Sequence, residues 1–172
     1  MKKTIPIPGS KRERVLQQAL TAFCQDGFEN VHLSDLATLA DVTTGTIYHH
    51  FGSKLGLYEI ICTELEQRII DRMEAAAEQH QTLAHALKAA LTAGINFSFK
   101  KGYCKVLGEK QQYLIQVDDK ISFFFSQYNP TVELKTDILV YSSWQIVNLK
   151  LAANELTLEQ AHDLFNWLTV RE

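Results

Sequence analysis

The sequence is short of several things, and each shortage closes off a class of protein. Charge of one sign is missing: 17 Lys and Arg stand against 20 Asp and Glu, a formal net of -3. A protein that coats nucleic acid through bulk positive charge is thereby excluded. Cysteine is scarce, and Cys24, Cys62 and Cys104 are widely spaced and odd in number. They make no C-x-x-C pair and no disulfide framework, which fits reduced thiols in the cytoplasm. Proline occurs only at Pro6, Pro8 and Pro130, so from the short arm at the amino terminus to Asn129 no proline forbids helix. No apolar run approaches the roughly 20 residues that a membrane span needs. Lys2 and Lys3 are followed by no apolar stretch, so no secretory signal is expected.

What is there is 172 residues, 46% hydrophobic and 22% charged, which is ordinary for a globular protein and enough to bury a core. Strand signals are weak, and the pattern reads as all-helical. Ser10 and Glu13 fit a reciprocal capping box opening a first helix, whose face is Val15, Leu16, Ala19, Leu20 and Phe23 and whose left-handed stop is Gly27. A short helix over about residues 33–40 follows, then a turn at Asp41-Val42-Thr43, then a second short helix from Thr44 to His50 capped by Thr43. Phe51-Gly52 ends it. Ser53 caps a long helix to about Gln79 that buries Leu57, Ile61, Leu65, Ile69 and Met73. Thr82 starts another helix, broken at Lys100-Lys101-Gly102. Residues 104–128 read as interrupted helix weakened by Gly108, Asn129-Pro130 as a helix start, and Thr157 with Gln160 as a second capping box.

Two short helices joined by a tight turn and followed by a long one form a helix-turn-helix. Ala37 is small where the helices cross. Asp41 stands where a left-handed backbone is needed, a conformation Asp tolerates better than most residues. Val42 and Ile47 point inward. The other face of the second helix shows Thr43, Thr44, Gly45, Thr46, Tyr48, His49 and His50, a surface with nothing apolar to bury.

The stretch from Gly27-Phe28 through Leu33-Ser-Asp-Leu-Ala37, Thr46-Ile-Tyr-His-His-Phe51 and Ser53-Lys54 resembles the tetracycline-repressor (TetR) family of bacterial regulators over about residues 10–60. The resemblance implies a helix-turn-helix DNA-binding domain at residues 1–54 and a helical regulatory and dimerisation domain at 55–172. It implies base or groove contacts at Thr44, Gly45 and His49, phosphate contacts at Thr46, Tyr48 and Lys54, and backbone contacts at His50, beside the cap Thr43. Hydroxyls and amides at a helix start suit phosphate oxygens. Where this family usually has hydroxyl residues, the chain has Val31-His32, so no hydroxyl cap is expected at residue 32. Residues 1–54 carry a net charge of +1 and the rest -4, so affinity is expected to depend on docking two domains correctly.

The resemblance also implies a ligand cavity among Phe97, Tyr103, Tyr113, Phe124, Tyr128, Tyr141 and Trp144, and a two-fold dimer through the last two helices. Candidates for that interface are Leu134, Ile138, Tyr141, Gln145, Leu149, Leu158, Ala161, Phe165 and Leu168. Three consecutive phenylalanines, Phe123 to Phe125, leave at least one facing a pocket or a partner. His49 and His50 lack the i, i+4 spacing of a helical metal pair, His80 and His85 are misaligned, and His162 stands alone, so no metal or cofactor is expected. Cys104, near Lys100, Lys101 and Lys105, is the one cysteine whose neighbours favour a thiolate. No Gly-rich phosphate loop, carboxylate pair or nucleophile motif points to an enzyme. The expected protein is a cytoplasmic, homodimeric regulator, in the family usually a repressor, bound to a palindromic operator and released by a small ligand. The alternative keeps the fold with constitutive or partner-controlled DNA binding.

Overall fold

A computed structural model describes residues 9–114, 119–128 and 136–169. Among the described residues nine helices and no strand occur. They are α1 (Lys11–Asn30), α2 (Leu33–Leu39), α3 (Thr44–Phe51), α4 (Lys54–Ala77), α5 (Leu83–Lys101), α6 (Cys104–Tyr113), α7 (Lys120–Ser126), α8 (Thr136–Ala152) and α9 (Leu158–Thr169). The helix start expected at Asn129-Pro130 and the interface candidate Leu134 lie outside the described residues. The chain divides into two compact units at Cys62–Thr63, inside α4.

The first unit begins as its capping pattern suggests, with one difference. Ser10 Oγ accepts from the Glu13 amide at 3.2 Å. The Glu13 carboxylate accepts from the Gly9 amide instead of closing back on Ser10. Gly27 also differs from its expected role. Its φ of 79° and ψ of 174° are extended, outside the left-handed helical region, and only glycine adopts them without strain. The chain kinks there and resumes a helical turn to Asn30, whose side-chain amide donates to the Asp26 carbonyl at 2.9 Å. An aromatic cluster locks this kink: Tyr58 lies edge-on to Phe23 at 5.0 Å and to Phe28 at 4.9 Å.

The turn between α2 and α3 is built from three parts. Asp41 takes φ 52°, the left-handed conformation expected of it. The Val42 amide donates to the Ala37 carbonyl at 2.9 Å. Arg14, reaching from α1, donates through Nε to the Ala40 carbonyl at 2.9 Å and through Nη2 to the Asp41 carbonyl at 3.0 Å. One planar guanidinium therefore satisfies two carbonyls left over at the end of α2.

In the second unit α6 lies along α8 and α9 along α5. Gly108, read from sequence as a weak point of helix, sits inside α6 and is buried. A Cβ there would lie 2.7 Å from the Leu149 backbone nitrogen and 2.5 Å from its side chain. Glycine permits the close crossing of α6 and α8, and this packing outweighs its low helix propensity. Trp144 is wholly buried, stacked on Phe165 at 6.2 Å and edge-on to Phe125 at 6.2 Å. Cys62 and Cys104 are both buried. Of the three phenylalanines, Phe124 and Phe125 are buried and Phe123 is 71% exposed.

This core also contains charge. Lys110 of α6, 2% exposed, pairs with Glu66 of α4 and with Asp119, the N-cap of α7, at 2.5 Å. Tyr141 of α8 donates its hydroxyl to Asp119, and Gln111 donates to Asp119 at 2.9 Å. Burial, the largest influence on Asp119, pushes its carboxyl up. The Lys110 charge, with hydrogen bonds from Lys110, Tyr141 and the Ser122 amide, pulls it down and prevails.

Two outcomes follow from these contacts. Arg14→Met keeps the aliphatic stem and removes the fork, so chemical denaturation should show a loss of about 1–2 kcal/mol, moderated by partial exposure, with helicity retained. Asp119 has a folded pKa below its ordinary 3.8, so it stabilises the fold above that value, and the contribution fades as pH falls through the lowered one. The stability advantage of wild type over Asp119→Asn, about 1–3 kcal/mol at neutral pH, should therefore shrink only in acid. Parallel denaturation curves at pH 7 and pH 3 read this directly.

Candidate nucleic-acid interface

α3 is a helix with one apolar stripe and one polar face. Ile47 is fully buried and Phe51 nearly so. Burying two such side chains favours one rotation of the helix by several times about 1.5 kcal/mol, so the outward face is determined by the inward one. Thr43 caps the helix: its Oγ1 accepts from the Thr46 amide at 3.2 Å and shares a hydrogen bond with Thr46 Oγ1 at 3.0 Å. The amides of Thr44 and Gly45 open the helix and have no carbonyl within it to bond. Gly52, at φ 74°, ends it.

The expected contact residues are brought together on this one element. Thr43, Gly45, Tyr48 and His49 are exposed, and Thr44, Thr46 and His50 half-buried. Tyr48 keeps 53% of its surface exposed, unusual for an aromatic with a core beside it. The His49 and His50 rings meet edge-on at 5.3 Å, and His50 lies edge-on to Phe51 at 6.0 Å. Gly45 has no packing reason to be glycine. A Cβ there would meet only Thr43 Oγ1, at an ordinary 3.7 Å. Glycine in a helix costs up to about 1 kcal/mol relative to Ala, and nothing inside the chain compensates for that cost here.

Lys54 is already engaged inside the unit. Its Nζ donates to the Glu29 carbonyl at 3.1 Å and lies 4.5 Å from the centre of the Phe28 ring. An ammonium has three donors, so this clamp leaves two. At residue 32 the cap of α2 is His32, with no side-chain hydrogen bond to the helix, as its lack of a hydroxyl suggests. Arg14, absent from the sequence candidates, holds the turn from 26 residues away. No local spacing signals such a bond. Arg12 is a second arginine at the same helix start, 5.6 Å from the centre of the Phe51 ring.

The aromatic candidates of the second unit fall into several groups. Phe97 meets Tyr103 edge-on at 5.9 Å and lies under Arg72 at 5.0 Å. Phe124 meets Tyr128 at 5.3 Å. The Tyr128 hydroxyl is pushed up by burial and by the nearby Glu74 charge, so it stays protonated. Trp144 belongs to the packed core, Tyr141 to the ionic cluster, and Tyr113 is half-buried in the last turn of α6.

The candidate dimer residues divide by burial. Ala161 and Phe165 are buried inside the unit, because this stripe of α9 faces α5. Tyr141, Gln145, Leu149, Leu158 and Leu168 are half-buried, and Ile138 is 60% exposed. Apolar side chains that the sequence reading did not name share its exposure: Leu139 and Ile146 on α8, and Leu164 and Trp167 on α9, Trp167 at 79%. No helix among the described residues is long and apolar enough to cross a membrane.

Comparisons with known proteins agree with this geometry. The family described as bacterial regulatory proteins, tetR family, matches residues 15–61, the unit that contains α3. The HTH-type transcriptional repressor BepR of Brucella suis biovar 1 (strain 1330) is 24% identical over 146 residues, 81% of this chain and 66% of its own length. The nucleoid occlusion factor SlmA of Actinobacillus pleuropneumoniae serotype 5b (strain L20) is 27% identical over 110 residues, 60% of this chain and 54% of its own length. The chain thus spans about a half to two thirds of the length of these curated relatives. A TetR-like transcriptional regulator from Rhodococcus sp. RHA1 has a similar fold, with a TM-score of 0.70 over 96% of both chains at 19% identity. With the matching module at residues 15–61 and this fold around it, the chain belongs to the tetR family of bacterial regulatory proteins.

Proposed function

We propose that this chain is a sequence-specific DNA-binding transcriptional regulator that acts in the cytoplasm as a homodimer, a repressor released from a palindromic operator by a small ligand. The observation that carries the reading is Gly45: an exposed glycine in a short helix, with no steric need for it inside the chain, on a face of hydroxyls, imidazoles and a protruding tyrosine. A backbone that must approach a groove closely supplies the missing reason.

In this reading Thr44, Gly45 and His49 face the major groove. Thr43, Thr46, Tyr48, His50 and Lys54 position α3 on the phosphates. A two-fold dimer holds two copies of α3 about 35 Å apart, one turn of DNA. The exposed apolar side chains of α8 and α9 support that dimer, and Trp167 is the side chain a partner would bury most of. Ligand in the second unit shifts α4, which runs through the unit boundary, and the two α3 helices lose register. The ligand must bind the released state better than the DNA-bound one. The name of BepR as a repressor supports the sign of regulation. The regulatory relatives support a binding protein over a catalyst.

Fragmented genomic DNA of the source, captured by the intact protein at near-physiological salt and sequenced, tests the reading. A few fragments sharing one palindrome are expected; even recovery of all fragments, or of none, overturns it. Two substitutions sharpen the result. Gly45→Ala should raise the thermal midpoint, by up to about 1 kcal/mol of helix propensity, and weaken operator binding at the same time. Tyr48→Ala should weaken binding by about fivefold to tenfold with helicity unchanged. In sedimentation, Trp167→Asp should shift the protein from dimer to monomer.

A further inference from the structure

Three donors from two helices converge on a single carboxylate oxygen in the second unit. Lys110 Nζ lies 2.5 Å from Asp119 Oδ2, Gln111 Nε2 donates to the same oxygen at 2.9 Å, and the Tyr141 hydroxyl donates to it as well. The tyrosine is oriented for this. Its oxygen accepts from Gln111 Nε2 at 3.0 Å and from Gln145 Nε2 at 3.1 Å, which turns its hydrogen towards the carboxylate. Lys110 and Gln111 belong to α6, and Tyr141 and Gln145 to α8. The donor set is thus built on two helices of which Asp119 is not a part.

Asp119 has a different task of its own. Its Oδ1 caps α7, accepting from the Ser122 amide at 2.9 Å. Nor does Lys110 require Asp119 for charge balance, because Glu66 of α4 pairs with the same ammonium. Two carboxylates on one buried ammonium leave a surplus negative charge in a site largely removed from water, which is costly. One carboxylate is therefore exchangeable, and Asp119 is the one with an outlet. Gln111, Asp119, Tyr141 and Gln145 are half-buried, so the cluster opens to solvent on their side, whereas Glu66 and Lys110 are buried.

We infer that Lys110, Gln111 and Tyr141 form a receptor for a small organic monocarboxylate, which the chain itself fills with the side chain of Asp119. The inference rests on the ligand-controlled reading of the second unit and names the chemistry of its ligand. A monocarboxylate replaces Asp119 charge for charge. A dianion such as phosphate would add a second uncompensated charge beside Glu66. A cation would face three donors and no acceptor. On displacement Asp119 turns to water and α7 loses its cap. Glu66 of α4 becomes the only chain carboxylate on Lys110, so occupancy is felt at α4.

Calorimetric titration of the intact protein with sodium benzoate, at fixed ionic strength and against sodium chloride, tests the inference. Asp119→Asn removes the internal competitor and keeps a capping side chain. It should bind benzoate at least about tenfold more tightly than wild type, since a charged acceptor has been replaced by a neutral one. Lys110→Met should bind none. If Asp119→Asn does not fold, Tyr141→Phe serves in its place: it deletes one donor and should weaken benzoate binding relative to wild type. Equal affinity in wild type and Asp119→Asn, benzoate binding by Lys110→Met, or no saturable heat in any variant overturns the inference. The titration contains no DNA, so its failure leaves the regulator reading intact. A protein that binds benzoate but no DNA overturns that reading alone.

Discussion

What α3 presents depends on the turn at Asp41. A helix of eight residues has little stability by itself, and its direction is set by how its first residues leave the preceding helix. Here that departure is held at three points. Asp41 takes the left-handed backbone that reverses the chain, the Val42 amide bonds back to Ala37, and Arg14 fastens two carbonyls from a helix distant in sequence. Ile47 and Phe51 then seat the apolar stripe. With the turn and the stripe in place, Thr44, Gly45, Tyr48 and His49 have no face left but the outer one. Gly45 is the residue whose cost the fold does not recover, and that is why it points outside the chain for its purpose.

The two units use buried polar groups differently. The first is closed by aromatic edges, with Tyr58 against Phe23 and Phe28 and Lys54 over Phe28, and its buried carbonyls are met by cationic side chains at the rim. The second places a full ionic cluster in its core. Such a cluster stabilises little compared with apolar residues of the same volume, because desolvation offsets the attraction. What it contributes is position: Glu66, Lys110, Asp119 and Tyr141 tie α4, α6, the start of α7 and α8 to one point. α4 runs through the boundary between the units, so a change at Glu66 acts on the same helix whose first residue, Lys54, belongs to the DNA-facing unit.

Much of the helical layout was legible because helix starts are written locally. Ser10, Thr43, Ser53, Thr82 and Thr157 each accept a backbone amide of the first turn, and Thr157 with Gln160 closes the box in both directions. The inward stripe of α4, from Leu57 to Met73, followed from its spacing. The misreadings have a common cause. Gly108 looks like a weakness along the chain and is a point of contact across it. Ala161 and Phe165 share a stripe with residues expected at a dimer face, yet α5 covers them. Glu13 closes its cap one residue early, and Gly27 kinks a helix instead of ending it.

The sequence alone therefore determined where helices start, that the protein is all-helical, and that residues 33–54 form a helix-turn-helix with a polar outer face. These depend on capping chemistry and on periodicity, which act within a few residues. Only the tertiary structure decided which side chains hold that module in place, which apolar residues of α8 and α9 remain uncovered, and that Glu66, Lys110, Asp119 and Tyr141 meet. Those contacts join residues 26, 44 and 22 positions apart, and no local pattern encodes a partner at such separations. A buried charge finds its counterion only once helices from distant parts of the chain have closed around it.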